Sequence, residues 1–265
     1  MAKKAFCVGI NDYPYAGFDL HGCVNDATAW AELLINHFDF PSSDVKIVTD
    51  SDATKKSIIK GLKNLLKGAK SGHVLVFTNS SHGSYISDKS GDEYKYDEVL
   101  CPYDVKDNVI VDDEFRELFT NLPQSVKLTV IADCCYSGTI TRNIPALTPD
   151  DRRMRFLNPA LRGDPVLRNP WVAKPKRIEK YPESAMKEIL ISGCTDREYS
   201  YDARFGGVYH GAMTYFALQK IRESNYKITY AKLIKHVNHM LDQAGYPQHP
   251  QLEGNPLIKE QQIFT

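Results

Sequence analysis

Two short turns in this chain hold residues able to make and break bonds. Ser80-Ser81-His82-Gly83 follows the apolar run VLVFTN, and Asp133-Cys134-Cys135-Tyr136-Ser137-Gly138 follows LTVIA. A thiol is a strong nucleophile only as thiolate, and an imidazole beside it can take its proton or stabilise the resulting charge pair. Glycine near each reactive residue lets backbone N–H groups approach the point where an oxyanion would develop, and the N–H groups of Gly83 and Cys135 are the natural pair. Taken singly, a histidine at a strand end is more often structural, and a cysteine in apolar surroundings is more often an inert thiol. Their joint occurrence favours chemistry. Asp133 adds a carboxylate two residues before Cys135, where alternation along an extended segment sends both side chains to one side.

Such turns need strands to carry them. Short β-branched apolar runs alternate here with amphipathic helical patterns, the mark of a mostly parallel sheet covered on both faces. The pattern predicts strands over Ala5–Ile10, Val45–Thr49, His73–Asn79, Lys127–Asp133 and Glu188–Gly193, with helices over Asn25–Phe38, Thr54–Lys67, Asp112–Asn121, Gly211–Arg222 and Tyr230–Ala244. In such a sheet, reactive groups gather beyond the carboxyl ends of the strands, where both turns lie. The rhythm fails between 141 and 181, a stretch with six prolines and many basic residues that reads as a long loop.

Composition narrows the classes. Among 265 residues, Lys plus Arg and Asp plus Glu number 33 each, so no overall field draws the chain to nucleic acid or an anionic membrane. The apolar stretch after the first lysines is too short for a signal-peptide core, and no window approaches a membrane span. A cytoplasmic location is therefore expected, with the scattered cysteines reduced. Adjacent Cys134 and Cys135 lack the spacing of a zinc site.

The two turns lie about 50 residues apart, the spacing of histidine and cysteine in caspase-type peptidases. The chain resembles the metacaspases and their bacterial relatives, the orthocaspases, which carry Ser-Gly-His-Gly-like and Asp-Ser-Cys-His-Ser-Gly-like turns. The likeness extends to FCVGINDYPYAGFDLHGCVNDATAW, EYKYDEVLCPYD, EILISGCTDREYSYDA and GVYHGAMTYFAL, nearly all of the chain apart from 141–181. Three departures stand out: Ser81 before His82, Cys134 where Ser is usual, and Tyr136 in place of a frequent His. The spacing to Ser137-Gly138 assigns the nucleophile to Cys135.

The resemblance implies a single α/β domain of the caspase-like fold, with about six mostly parallel strands, a large-subunit-like part (1–140), a basic linker (141–181) and a small-subunit-like part (182–265). It implies a cysteine endopeptidase with a His82/Cys135 dyad. Asp26 matches the family's other acidic specificity residue, and Ser80 a polar pocket residue. Two carboxylates facing one slot repel unless a cation sits between them, so protein or peptide substrates with Arg or Lys before the scissile bond are expected. On residue chemistry alone, Asp26 could instead cap the helix that follows it. The basic residues of 141–181 make that stretch a candidate for self-cleavage. Calcium is the one cofactor implied, at Asp97, Asp112 and Asp113. Arg142 stands where the family has a further Asp, so the set is one carboxylate short, and the acidic run at 112–114 also suits a helix N-terminus. A monomer is implied, with no nucleic-acid or membrane partner. The competing readings are a catalytically silent caspase-fold module and a legumain-like thiol peptidase or transamidase.

Overall fold

The computed structural model describes residues 1–87, 96–123, 125–135, 152–163, 183, 186–195 and 197–265. Its centre is a six-stranded sheet built from β1 (Lys3–Gly9), β2 (Val45–Thr49), β3 (Val74–Ser80), β7 (Lys127–Asp133), β9 (Glu188–Ser192) and β12 (Gln251–Glu253), in the order β12-β9-β7-β3-β1-β2. All pairings are parallel except the edge pair β9–β12. The five strands expected from the sequence form the parallel part. β12 was not legible there, being three half-buried residues with no apolar run.

Side-chain alternation divides the sheet into two apolar faces. Ala5, Cys7, Val74, Val76, Ile131, Ile189 and Ile191 pack under α1 (Cys23–His37), α5 (Ala212–Glu223) and α6 (Tyr230–Gln243). Phe6, Val8, Leu75, Phe77, Leu128 and Val130 pack under α2 (Lys55–Leu66) and α3 (Asp112–Thr120). In α2 the stripe Ile58, Leu62 and Leu65 is buried, and Thr54 caps the start by accepting the Ser57 N–H.

Two small sheets flank the carboxyl ends of the central strands. One is the antiparallel set β4 (Gly83–Ser87), β5 (Tyr96–Leu100) and β6 (Ile110–Val111). The other joins the hairpin of β10 (Tyr201–Phe205) and β11 (Val208–Gly211) to β8 (Arg152–Met154). Gly206 and Gly207, at φ +57° and +97°, form the two-residue loop of that hairpin. Part of the expected 141–181 loop thus forms regular structure, with β8 followed by the helical turn α4 (Pro159–Arg162); a further turn, α7 (Pro256–Lys259), follows β12. The rest of that stretch and the proposed subunit boundaries at 140 and 182 lie outside the described residues. Among the described residues, no helix is long and apolar enough to cross a membrane.

Candidate active site

The parallel pairing of β3 with β7 puts Ser80 opposite Asp133. His82 and Cys135 each follow two residues later, so the register alone delivers imidazole and thiol to neighbouring strand ends. The close approach of the two turns requires glycine at 83, because a Cβ there would collide with the Cys135 carbonyl.

His82 is buried, its ring 5.4 Å from that of Tyr13. Nε2 lies 2.7 Å from the Phe18 carbonyl oxygen, which only accepts, so Nε2 carries the proton and Nδ1 keeps its lone pair. Nδ1 is buried and has no hydrogen-bond partner among the described residues. Burial pushes the imidazole pKa down to about 4, although the bond to Phe18 works in the opposite direction. The ring is a neutral base with its accepting nitrogen unspent. The Cys135 thiol is engaged elsewhere: Sγ accepts the Ser200 N–H at 2.6 Å and lies 3.4 Å from the Ser200 carbonyl oxygen.

A segment of the chain itself fills the cleft between these turns. The Arg155 carbonyl oxygen accepts two N–H groups, from Gly83 at 3.0 Å and from Cys135 at 3.2 Å. These are the two donors expected from the sequence, and such a pair can stabilise a developing oxyanion. Upstream, β8 adds to β10 as a third antiparallel strand, pairing Met154 with Tyr201 and Arg152 with Ala203, and the Arg155 N–H donates to the Ser200 carbonyl. Downstream, Phe156 bridges Gly83, the Leu157 N–H donates to the Gly83 carbonyl, and Ser84 Oγ donates to the Leu157 carbonyl at 2.6 Å. The Phe156 ring lies between those of Tyr85 and Tyr199, at 6.1 and 5.8 Å. Extended backbone therefore crosses the site with hydrogen bonds on both sides of the Arg155–Phe156 bond.

The Arg155 side chain, fully buried, enters an anionic recess. Its Nη2 reaches Asp26 at 2.7 Å and Asp202 at 2.9 Å, and Nη1 reaches Asp133 at 3.3 Å. Each acid is held from behind. Asp26 accepts from Gly211 N–H and pairs with His210 at 2.9 Å. Asp133 accepts from Ser200 Oγ at 2.5 Å and Thr214 Oγ1 at 2.7 Å, and Asp202 from the N–H groups of His21 and Gly22. Burial raises the Asp26 pKa, with Arg155 and His210 pulling it back. Charges this buried cost several kcal/mol each unless paired, so three carboxylates around one slot require a cation. Gly211 leaves room for the guanidinium: a Cβ there would strike Arg155 and Asp133.

Several expectations change at this point. Asp26 lies in the first turn of α1 and makes no capping bond, so the capping alternative is set aside. Ser80 is buried at the end of β3, where its carbonyl oxygen accepts the Ile10 N–H. The third acid is Asp202, which the sequence reading missed although it lies within the quoted EILISGCTDREYSYDA. The available signal was the Gly206-Gly207 hairpin loop, which makes its flanks strands and pairs Asp202 with Gly211. For the calcium set, among the described residues no group of three or more His, Cys, Asp or Glu is arranged to hold a metal. Asp112 pairs with Arg116 one turn on, at 3.5 Å, and burial raises its pKa to about 6. Arg142 lies outside the described residues.

Residues 3–143 match the family model of the metacaspase, peptidase C14 domain, more than half of the chain. The chain belongs to the metacaspase family. Metacaspase-2 of Trypanosoma brucei brucei is 29% identical over 99% of this chain and 76% of its own length. Metacaspase-1 of Arabidopsis thaliana is 33% identical over 92% of this chain and 65% of its own length. Among solved structures, a protein from Geobacter sulfurreducens superposes with a TM-score of 0.75 at 24% identity, over 100% of this chain and 99% of that one. Caspase-1 from Spodoptera frugiperda gives 0.60 at 10% identity, over 95% and 88%. The fold is caspase-like, and family membership makes the chain a cysteine-type endopeptidase acting on protein substrates.

Proposed function

We propose that this metacaspase cleaves peptide bonds after arginine or lysine with the His82/Cys135 pair, and that its first substrate is its own Arg155–Phe156 bond. What carries the reading is the double placement of Arg155: its carbonyl oxygen lies between the N–H groups of Gly83 and Cys135, while its guanidinium is ringed by Asp26, Asp133 and Asp202. An acyl-side residue must satisfy both requirements at once.

In this mechanism Nδ1 of His82 takes the Cys135 proton, a role consistent with its lone pair and neutral ring. The thiolate attacks the Arg155 carbonyl carbon, and the oxyanion is met by the two N–H groups. The C–N bond to Phe156 breaks, the leaving amine takes the proton from the imidazolium, and water hydrolyses the thioester to free the thiol and an Arg155 carboxylate. Before the reaction, the thiol must leave its bonds to Ser200 and turn to His82. A bound cation makes Arg the better fit, since its planar fork meets two carboxylates together, and Lys the weaker one.

The test is incubation of the wild-type chain beside Cys135→Ala, followed by N-terminal sequencing of the fragments. A new terminus at Phe156 in the wild type, absent from the variant, is expected. Cleavage of fluorogenic Asp or Asn peptides in preference to Arg and Lys peptides overturns the reading, and the Asn outcome would favour the legumain-like alternative.

A further inference from the structure

We infer that the cleft has a second cation-selective subsite, formed by Tyr246 and the C-terminal carbonyls of α6, which favours arginine at the fourth position before the scissile bond. This rests on the reading of residues 152–155 as a bound substrate. Arg152, three residues upstream of Arg155, places its guanidinium 4.0 Å from the centroid of the Tyr246 ring. Its Nη1 donates to the Gly245 carbonyl at 2.9 Å, and Nη2 points to the Ala244 carbonyl at 3.5 Å.

These features belong to one built element. Helix α6 ends at Gln243, with Ala244 as its cap and Gly245 at φ +71°. Carbonyls at such an end have no partner within the helix and lie at the negative pole of its dipole. The Tyr246 ring is fixed in place by Tyr201, Phe205 and Phe216, with centroids 6.1, 5.8 and 6.3 Å away. The subsite is thus a rigid aromatic floor with a carbonyl rim. It differs in kind from the recess around Arg155, which is sealed and carries three carboxylates. A ring and two carbonyls accept a guanidinium by stacking and forked donation, while an ammonium can use only part of that geometry. Arg153, between them, faces away and donates to the Asp19 carbonyl at 2.8 Å, which reads no particular charge from an acid.

Fluorogenic tetrapeptides ending in Arg-Met-Arg, with Arg, Lys, Ala or Glu at the front, test this on the self-processed wild-type enzyme. The expected order of kcat/KM is Arg, Lys, Ala, Glu, with roughly a tenfold gap between Arg and Ala. Tyr246→Leu, which keeps an apolar side chain against Phe216 but removes the π face, narrows the gap between the Arg and Ala peptides severalfold, to what the carbonyl rim alone supplies. Tyr246→Phe keeps the gap. Equal rates for the Arg and Ala peptides on the wild type, or a gap left undiminished by Tyr246→Leu, overturn the subsite while leaving cleavage after arginine intact. Failure to cut any of the four, with cutting of a matched peptide ending in Asp, overturns the underlying reading of the cleft.

Discussion

His82 and Cys135 stand two residues beyond one register pair of a parallel sheet, whereas Asp26, Asp133 and Asp202 converge from a helix, a central strand and a hairpin. The reactive turns inherit their geometry from the best-packed part of the molecule. β3 is buried along its whole length and β7 along all but its first residue. The acidic recess depends instead on docking the β10–β11 hairpin against α1, and on a cation that offsets three buried charges. One region is held by apolar packing and the other by charge balance. Substitutions should therefore act differently on the two.

The largest expected effect is on chemistry. Cys135→Ala abolishes both peptide turnover and self-cleavage, and leaves the chain folded, because the sheet register does not depend on the thiol. Gel analysis and circular dichroism check the two halves of that statement. Because the segment occupies its own cleft, wild-type self-cleavage is also expected to be first order, with a rate independent of protein concentration across a dilution series.

Next come the acids. Asp202→Asn or Asp133→Asn removes a charged partner of the guanidinium, a loss of about 2–5 kcal/mol in buried pairs. Steady-state rates on an Arg peptide should fall by about thirtyfold or more, with a smaller change on an uncharged acyl-side residue. Equal losses on both peptides would assign these acids to the scaffold.

Removing the cation tests the charge-balance half directly. Arg155→Ala strands three buried carboxylates, and leaving a buried charge uncompensated costs about 3–5 kcal/mol. Urea unfolding measures it. The deficit against wild type should shrink as pH falls, because burial already raises the Asp26 pKa and loss of Arg155 removes a group that lowers it. A carboxylate with a raised folded-state pKa favours the folded state most when protonated, below its ordinary value, and that contribution is lost as pH rises through the raised value.

The smallest effect concerns His82. Its pKa is lowered from 6.5 to about 4, so between these values the unfolded chain binds a proton that the folded chain refuses. Stability should decline as pH falls through that window and level off below it, and His82→Gln should remove that part of the decline. The window also sets the acidic limb of self-cleavage, expected nearer pH 4 than 6.5 if the neutral ring is the base.

Long-period patterns were readable in the sequence and short-range ones were not. The five parallel strands and five helices were legible because each buries an apolar stripe of recognisable period, as in Ile58, Leu62 and Leu65 of α2. The small sheets were not, because strands such as Arg152–Met154 carry polar side chains and are held by backbone bonds to a neighbour. The basic stretch at 141–181 was identified as a candidate substrate, yet nothing in its composition distinguishes Arg155 from Arg152 or Arg153. Asp112 has a use without metal, at a helix start and paired with Arg116.

By itself, then, the sequence determined the family, the fold class and the two turns that carry His82 and Cys135, because residue type and strand-end position suffice for these. Only the tertiary structure decided which arginine fills the recess and that Asp202 completes it. Those outcomes depend on backbone hydrogen bonds and on charges meeting across segments as far apart as residues 26, 155 and 202, and a linear order of residue types does not encode such distances.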